Sequence, residues 1–241
     1  MTPPKRFSVS LAEHKNLDRL FRALVWILRP VLLPLINFTL LLYHPQRQTR
    51  SILLGLLGGI AVYVVGMILT GGNDWAVLAV GAQSKTTYML LMAVPLSILG
   101  GLLMAGLPEE LIFRGYIFQA LGERLPVWVA GLVTSVLFGW THIGYGPAQV
   151  VAAFVFSLVL IELRLVLGSL WCGIALHTGF DATYFYIVNV AGGRDRFSAG
   201  DSSGDVLNAV LWAIVLLVLV VLRWKKEHLI GWRKPLQAPT P

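Results

Sequence analysis

Two adjacent carboxylates and an arginine, Glu109, Glu110 and Arg114, interrupt a stretch that is otherwise apolar, and so do His142, His177 and Asp181. A charged side chain at mid-membrane depth costs about 2.5–3.5 kcal/mol on insertion scales, so such residues normally face a protein interior or an aqueous cavity and mark function. Carboxylate and imidazole are also the groups that pass protons at neutral pH. Glu110 and Arg114 are one helical turn apart and can pair on one face. Glu109 lies about 100° further round the same helix and is left without a local cation. Glu109 is therefore the better proton acceptor, and Glu110 the better structural partner. The plain alternative is a helix start at Pro108, with both glutamates complementing the N-terminal dipole.

His142 follows Phe138 by four residues, which places imidazole and aromatic ring on one helix face. At a helix end such a histidine can also be a cap or a satisfied core residue. His177 and Asp181 repeat the one-turn spacing. A carboxylate there can orient an imidazole, or both can bind a metal or a substrate oxygen; a buried structural pair is the other reading. Gly173 and Gly179 on the same run admit a close neighbour.

The elements that position these groups follow from hydropathy. Of 241 residues, 56% are hydrophobic and 13% charged, with mean hydropathy +0.74, whereas a soluble domain carries about twice that charged fraction. The expected fold is all-α, a polytopic membrane protein of about eight helices around a polar intramembrane site. An amphipathic segment, with Leu17, Leu20, Phe21, Leu24, Val25 and Leu28 on one face, makes residues 1–29 an interfacial lead-in. Spans are expected near 30–43, 51–70, 86–107, 109–122, 126–142, 147–163, 168–190 and 206–223. That gives a membrane domain over 30–223, with the polar motifs within 86–190, and a basic tail over 224–241. The segment 191–205, rich in glycine and serine, reads as a flexible loop.

Net charge is +7, an excess that fits cytoplasmic loops and headgroup-facing ends, so no nucleic-acid partner is expected. Of the 19 Lys and Arg, only Arg47, Arg50, Arg194 and Arg196 would lie outside under eight spans, which puts both termini in the cytoplasm. Charges continue through Arg22 and Arg29 with no small-residue cleavage site, and no cleaved signal is expected. Cys172 is the single cysteine, which excludes an intramolecular disulfide and suits a buried inert thiol.

Three segments resemble the motifs of one family. Glu109-Glu110-Leu111-Ile112-Phe113-Arg114 looks like EExxxR, Phe138-Gly139-Trp140-Thr141-His142 like FxxxH, and His177-Thr178-Gly179-Phe180-Asp181 like HxxxN with Asp in the last place. These are similar, in order and spacing, to the motifs of the CPBP or Abi family, which includes the CAAX prenyl endopeptidases and bacteriocin-processing or immunity proteins. The resemblance covers about residues 86–190. It implies a glutamic-type intramembrane endopeptidase in which Glu109 and His142 activate a water, His177 and Asp181 stabilise the oxyanion, and Arg114 locks Glu110. Phe138 supports the site. Asp181 departs from the Asn form, because an ionised carboxylate cannot donate to an oxyanion; it is either protonated or orients His177.

The reading names a peptide or membrane-protein substrate, a bilayer of the bacterial inner-membrane kind, and no cofactor. It leaves oligomeric state open. A second reading makes His142, His177 and Asp181 ligands of zinc, although HExxH is absent. A third is a non-catalytic immunity or scaffold protein. A proton-coupled transporter would be expected to show two related halves, and none is visible.

Overall fold

The computed structural model describes residues 45–70, 87–191 and 202–229. The interfacial segment and the 30–43 span expected from sequence lie outside these residues, as do most of the 191–205 loop and the end of the basic tail. Among the described residues the secondary structure is wholly helical. Helix α1 is Pro45–Leu69, α2 covers residues 87–122, α3 is Val127–Trp140, α4 Pro147–Leu167, α5 Leu170–Ala191 and α6 Ser202–Leu229. A short 3-10 turn, Ile143–Tyr145, joins α3 to α4.

Local chemistry sets the boundaries. Pro126, in an extended conformation, caps the start of α3, and Pro147 opens α4, a position where its missing N–H would have had no helical partner. Gly168 ends α4 with φ +65° and donates its N–H to the Arg164 carbonyl, the left-handed stop that glycine adopts without steric cost. α6 starts four residues before the expected span and continues past residue 223 into the basic segment.

One expectation is corrected. The runs 86–107 and 109–122, read as two spans with a break at Pro108, form the single helix α2. Among the described residues four long helices are apolar enough to cross a membrane, Thr49–Leu69, Met89–Gly122, Pro147–Leu167 and Ser202–Glu227. α3 is apolar but shorter, and the polar site residues dilute α5. The expected 30–43 crossing and both termini lie outside the described residues.

α2 stays continuous through Pro108 because its turns widen. It runs as Thr87–Gly100 in α geometry, Gly101–Gly106 as π-helix, Leu107–Glu110 as α, Leu111–Ile117 as π and Phe118–Gly122 as α. A proline has no N–H to give to the carbonyl four residues back, and a wide i→i+5 turn on its N-terminal side relieves the mismatch. Glu109 and Glu110 thus occupy a four-residue α segment between two π turns.

Packing is inverted relative to a soluble protein. Leu54, Leu57, Met104, Leu217 and Ile214 point outward, while Glu110, Arg114, Thr134, Ser135, Ser157, His177 and Asn208 are buried. That is the arrangement a hydrocarbon solvent favours. Trp128 and Trp224 near one end of the bundle, and Trp140 and Tyr145 near the other, are exposed, as expected of side chains at the two headgroup levels.

Helix contacts rest on small residues. α1 presents Gly55 and Gly59 to α5, where an added Cβ would collide with the carbonyls of Cys172 and Leu176 respectively, while a Cβ on Gly179 would meet the Leu56 carbonyl. The small-xxx-small spacing lets the two backbones touch. Gly101 and Gly106 of α2 do the same against Thr178 and its neighbours on α5. Ser157 donates to Ser135 at 2.9 Å across the α3–α4 contact. α5 is thus clamped between α1 and α2, and it is the helix that carries His177 and Asp181.

Gly59→Leu should force α1 off α5 and lower the thermal midpoint of the purified protein by several degrees, in line with the roughly 1–3 kcal/mol of an overpacked core. Gly58→Leu is the control, since a Cβ there has its nearest neighbour at 3.8 Å and should leave the midpoint unchanged.

Candidate active site

α2 and α5 meet at a buried carboxylate. Glu110 is fully buried, and its Oε1 accepts from Arg114 Nη1 at 2.8 Å and pairs with His177 Nδ1 at 3.1 Å. Both contacts need Oε1 as the acceptor, so Nδ1 carries the proton and Nε2 is the ring nitrogen turned toward the rest of the site. Arg114, also fully buried, lays its guanidinium over the Phe138 ring at 4.4 Å from the centroid, a cation–π contact that ties α2 to α3. Arg164 of α4 donates to the Arg114 carbonyl, one of the groups that the π turn of α2 leaves accessible. The sequence expectation of a Glu110–Arg114 pair is met, with His177 as a third member.

His177 Nε2 faces two further carboxylates, Asp181 Oδ2 at 3.4 Å and Glu109 Oε2 at 3.8 Å. Glu109 therefore does not stand alone on a separate face. The two adjacent carboxylates reach different nitrogens of one imidazole, Glu110 at Nδ1 and Glu109 at Nε2. They differ in environment: the Glu109 side chain is 31% exposed and that of Glu110 not at all. Among the described residues neither Glu109 Oε2 nor Glu110 Oε2 accepts a hydrogen bond, and of the two glutamates it is Glu109 that lines the cavity.

His142 follows the end of α3. Its Nδ1 lies 3.0 Å from the Phe138 carbonyl and 3.2 Å from Thr141 Oγ1. A carbonyl can only accept, so Nδ1 holds the proton and the neutral ring presents Nε2 as a base. Phe138 stacks on His142 with centroids 4.9 Å apart and meets His177 edge-on at 6.1 Å. It is the wall that holds both imidazoles.

Glu109, His142, His177 and Asp181 line one cavity of about 80 Å³, together with Phe138, Gln149, Phe156, Phe180, Asn208 and Trp212. Since about 10–15 Å³ of such space holds a water, the cavity admits several. A carboxylate oxygen without a partner and a basic imidazole nitrogen on a water-sized cavity can polarise a water for attack on a carbonyl. Among the described residues no three His, Cys, Asp or Glu side chains are disposed to hold a metal ion. Both His177 nitrogens face carboxylates, which leaves the set His142, His177 and Asp181 short of a free imidazole.

Sequence reasoning missed Gln149, Asn208 and Trp212. Asn208 and Trp212 are one turn apart, but neither side chain is ionisable. The signal available for Asn208 was a lone amide ahead of the apolar run of α6, and its burial needed the fold.

Residues 91–183 match the model of the family described as type II CAAX prenyl endopeptidase Rce1-like. The chain is also 36% identical over 101 residues to "Putative membrane peptidase YdiL" of Bacillus subtilis, a stretch that covers 39% of this chain and 41% of that protein. No solved structure matches. All three motif segments fall inside the matched region, whereas Asn208 and α6 fall outside it. Through this motif-bearing core the chain is similar to the Rce1-like type II CAAX prenyl endopeptidase family.

Proposed function

We propose that the chain is an intramembrane endopeptidase that hydrolyses a peptide bond with a water activated by Glu109 and His142. The single observation that supports this best is the Glu109 carboxylate, whose Oε2 accepts no hydrogen bond among the described residues, on the cavity that His142, His177 and Asp181 also line. In the proposed step Glu109 takes one proton from the water as its oxygen bonds to the carbonyl carbon, and the carbonyl π electrons move onto oxygen. Collapse re-forms the carbonyl and breaks the C–N bond. The proton held by Glu109 passes to the departing amine. His142 Nε2 accepts the water's second hydrogen bond and orients it.

Glu110 is the structural carboxylate of this reading. It fixes the His177 tautomer and compensates Arg114. Asp181 holds His177 Nε2 from the other side, so the departure from Asn gives this histidine a counter-charge in place of a neutral amide. The substrate is a peptide or membrane protein whose scissile bond reaches the cavity from within the bundle. The family description adds a prenylated CAAX sequence to the substrates worth testing. The water is held by protein groups alone, with zinc on His142 and His177 as the alternative.

Glu109→Gln keeps shape and removes the proton acceptor, so turnover should fall by about 10²–10⁴-fold with insertion and thermal midpoint unchanged. The measurement is a comparison of peptides released from membranes with wild-type and variant protein. Wild-type product yield from Glu109→Gln would rule this role out. Glu110→Gln should lose stability as well as activity, on the order of 3–5 kcal/mol, because it strands a buried guanidinium; an unchanged melting curve would contradict the structural role. Dialysis against chelator should leave activity intact. Loss on chelation, restored by zinc and accompanied by stoichiometric metal that both His142→Ala and His177→Ala lack, would select the metal reading.

A further inference from the structure

A carbonyl under attack by water becomes an oxyanion, and a hydrogen-bond donor aimed at it is worth more than any other single contact in acyl-group chemistry. The carboxylates around the cavity cannot donate when ionised. His177 is held between Glu110 on Nδ1 and the pair Asp181 and Glu109 on Nε2, so its N–H groups are directed at carboxylates. The site lacks a neutral donor among the motif residues.

α6 supplies one. Asn208 lines the cavity, is 5% exposed, and among the described residues its Oδ1 has no hydrogen-bond partner. A buried amide oxygen without a partner is rare enough to require a reason, and leaving it so costs about 1–3 kcal/mol. The two ends of an amide exchange by a rotation about χ2, so the group that faces the cavity can equally be the NH₂. Its backbone is well anchored. Trp212, one turn later, packs on Phe156 at 4.7 Å and Phe180 at 5.3 Å between ring centroids, which holds this stretch of α6 against α4 and α5. Asn208 is therefore a buried amide that, with Gln149, lines an otherwise acceptor-rich cavity, and aromatic packing on three helices holds it in place.

We propose that Asn208 is a catalytic residue whose side-chain N–H donates to the oxyanion formed when the water adds to the peptide carbonyl. The inference rests on the peptidase reading above. The amide stays neutral throughout: it gives a hydrogen bond to the oxygen that has received the carbonyl π electrons, and that bond weakens again as the carbonyl re-forms and the C–N bond breaks. α6, which lies outside the matched family region, thus completes the site with the donor that Asp181 does not provide.

The test uses the full chain in detergent or nanodiscs, a synthetic peptide library to find a cleaved sequence, and the same sequence with a phosphinate in place of the scissile amide. Asn208→Leu should lower kcat about 10²–10³-fold with KM changed by less than about threefold. Asn208→Ala, which leaves room for a water in place of the amide, should fall less. The phosphinate, a tetrahedral anion, should lose about 100-fold in affinity on either variant while the parent peptide binds to each as to wild type. Loss of both ligands by the same factor, or wild-type kcat in both variants, would overturn the assignment. Glu109→Gln run in parallel separates the two ideas. If it is inactive while the Asn208 variants are not, only the oxyanion assignment fails. If wild type and Glu109→Gln cleave alike, or wild type neither cleaves a peptide nor prefers the phosphinate, the peptidase reading fails and the Asn208 role with it.

Discussion

A carboxylate with no exposed surface, Glu110, is the constraint on which the rest of the arrangement depends. Removing such a charge from water costs several kcal/mol, and only close opposite charge and hydrogen bonds offset that cost. Here the compensation comes from Arg114 on the same helix and His177 on α5, 2.8 and 3.1 Å away. The consequence is positional. α2 and α5 can pack only in the register that brings this carboxylate to this imidazole, and that register also brings Glu109 and Asp181 to the other ring nitrogen. Arg114 extends the constraint to α3 through Phe138, and so to His142 at the end of that helix.

The backbone is shaped to the same end. Gly101 and Gly106 let α2 lie directly on α5, and Gly55 and Gly59 let α1 press on its opposite face. In hydrocarbon there is little apolar drive to bring helices together, so close backbone approach and buried polar contacts carry the association. The two π turns of α2 admit Pro108 without a break. Wide turns of this kind commonly occur at functional sites. α6 closes the remaining side through Trp212, and with Asn208 it brings a second amide, beside Gln149 of α4, to the cavity.

The sequence made the site legible because its residue types are costly in an apolar context. Six ionisable side chains in three one-turn or adjacent groups are hard to explain as a lipid-facing surface, and Glu109, His142, His177 and Asp181 do line one cavity. What stayed hidden has physical reasons. Pro108 ahead of two acidic residues has the signature of a helix start, and only the packing of α2 on α5 reveals that the helix runs through it. Gln149, Asn208 and Trp212 are uncharged, so they carry no cost that marks them in an apolar sequence, and their place in the site follows from how α4 and α6 pack. The expected break at 108 read one continuous helix, α2, as two spans.

The central claim is that one water sits between Glu109 and His142 in a cavity organised by the buried Glu110. An experimental structure of the full chain in a lipid environment, at a resolution that shows ordered solvent, tests it most directly. The account predicts a water within about 3.2 Å of both the Glu109 carboxylate and His142 Nε2, with His177 Nδ1 still on Glu110. A dry cavity, or a His142 ring turned away from Glu109 beyond the reach of a shared water, would contradict it.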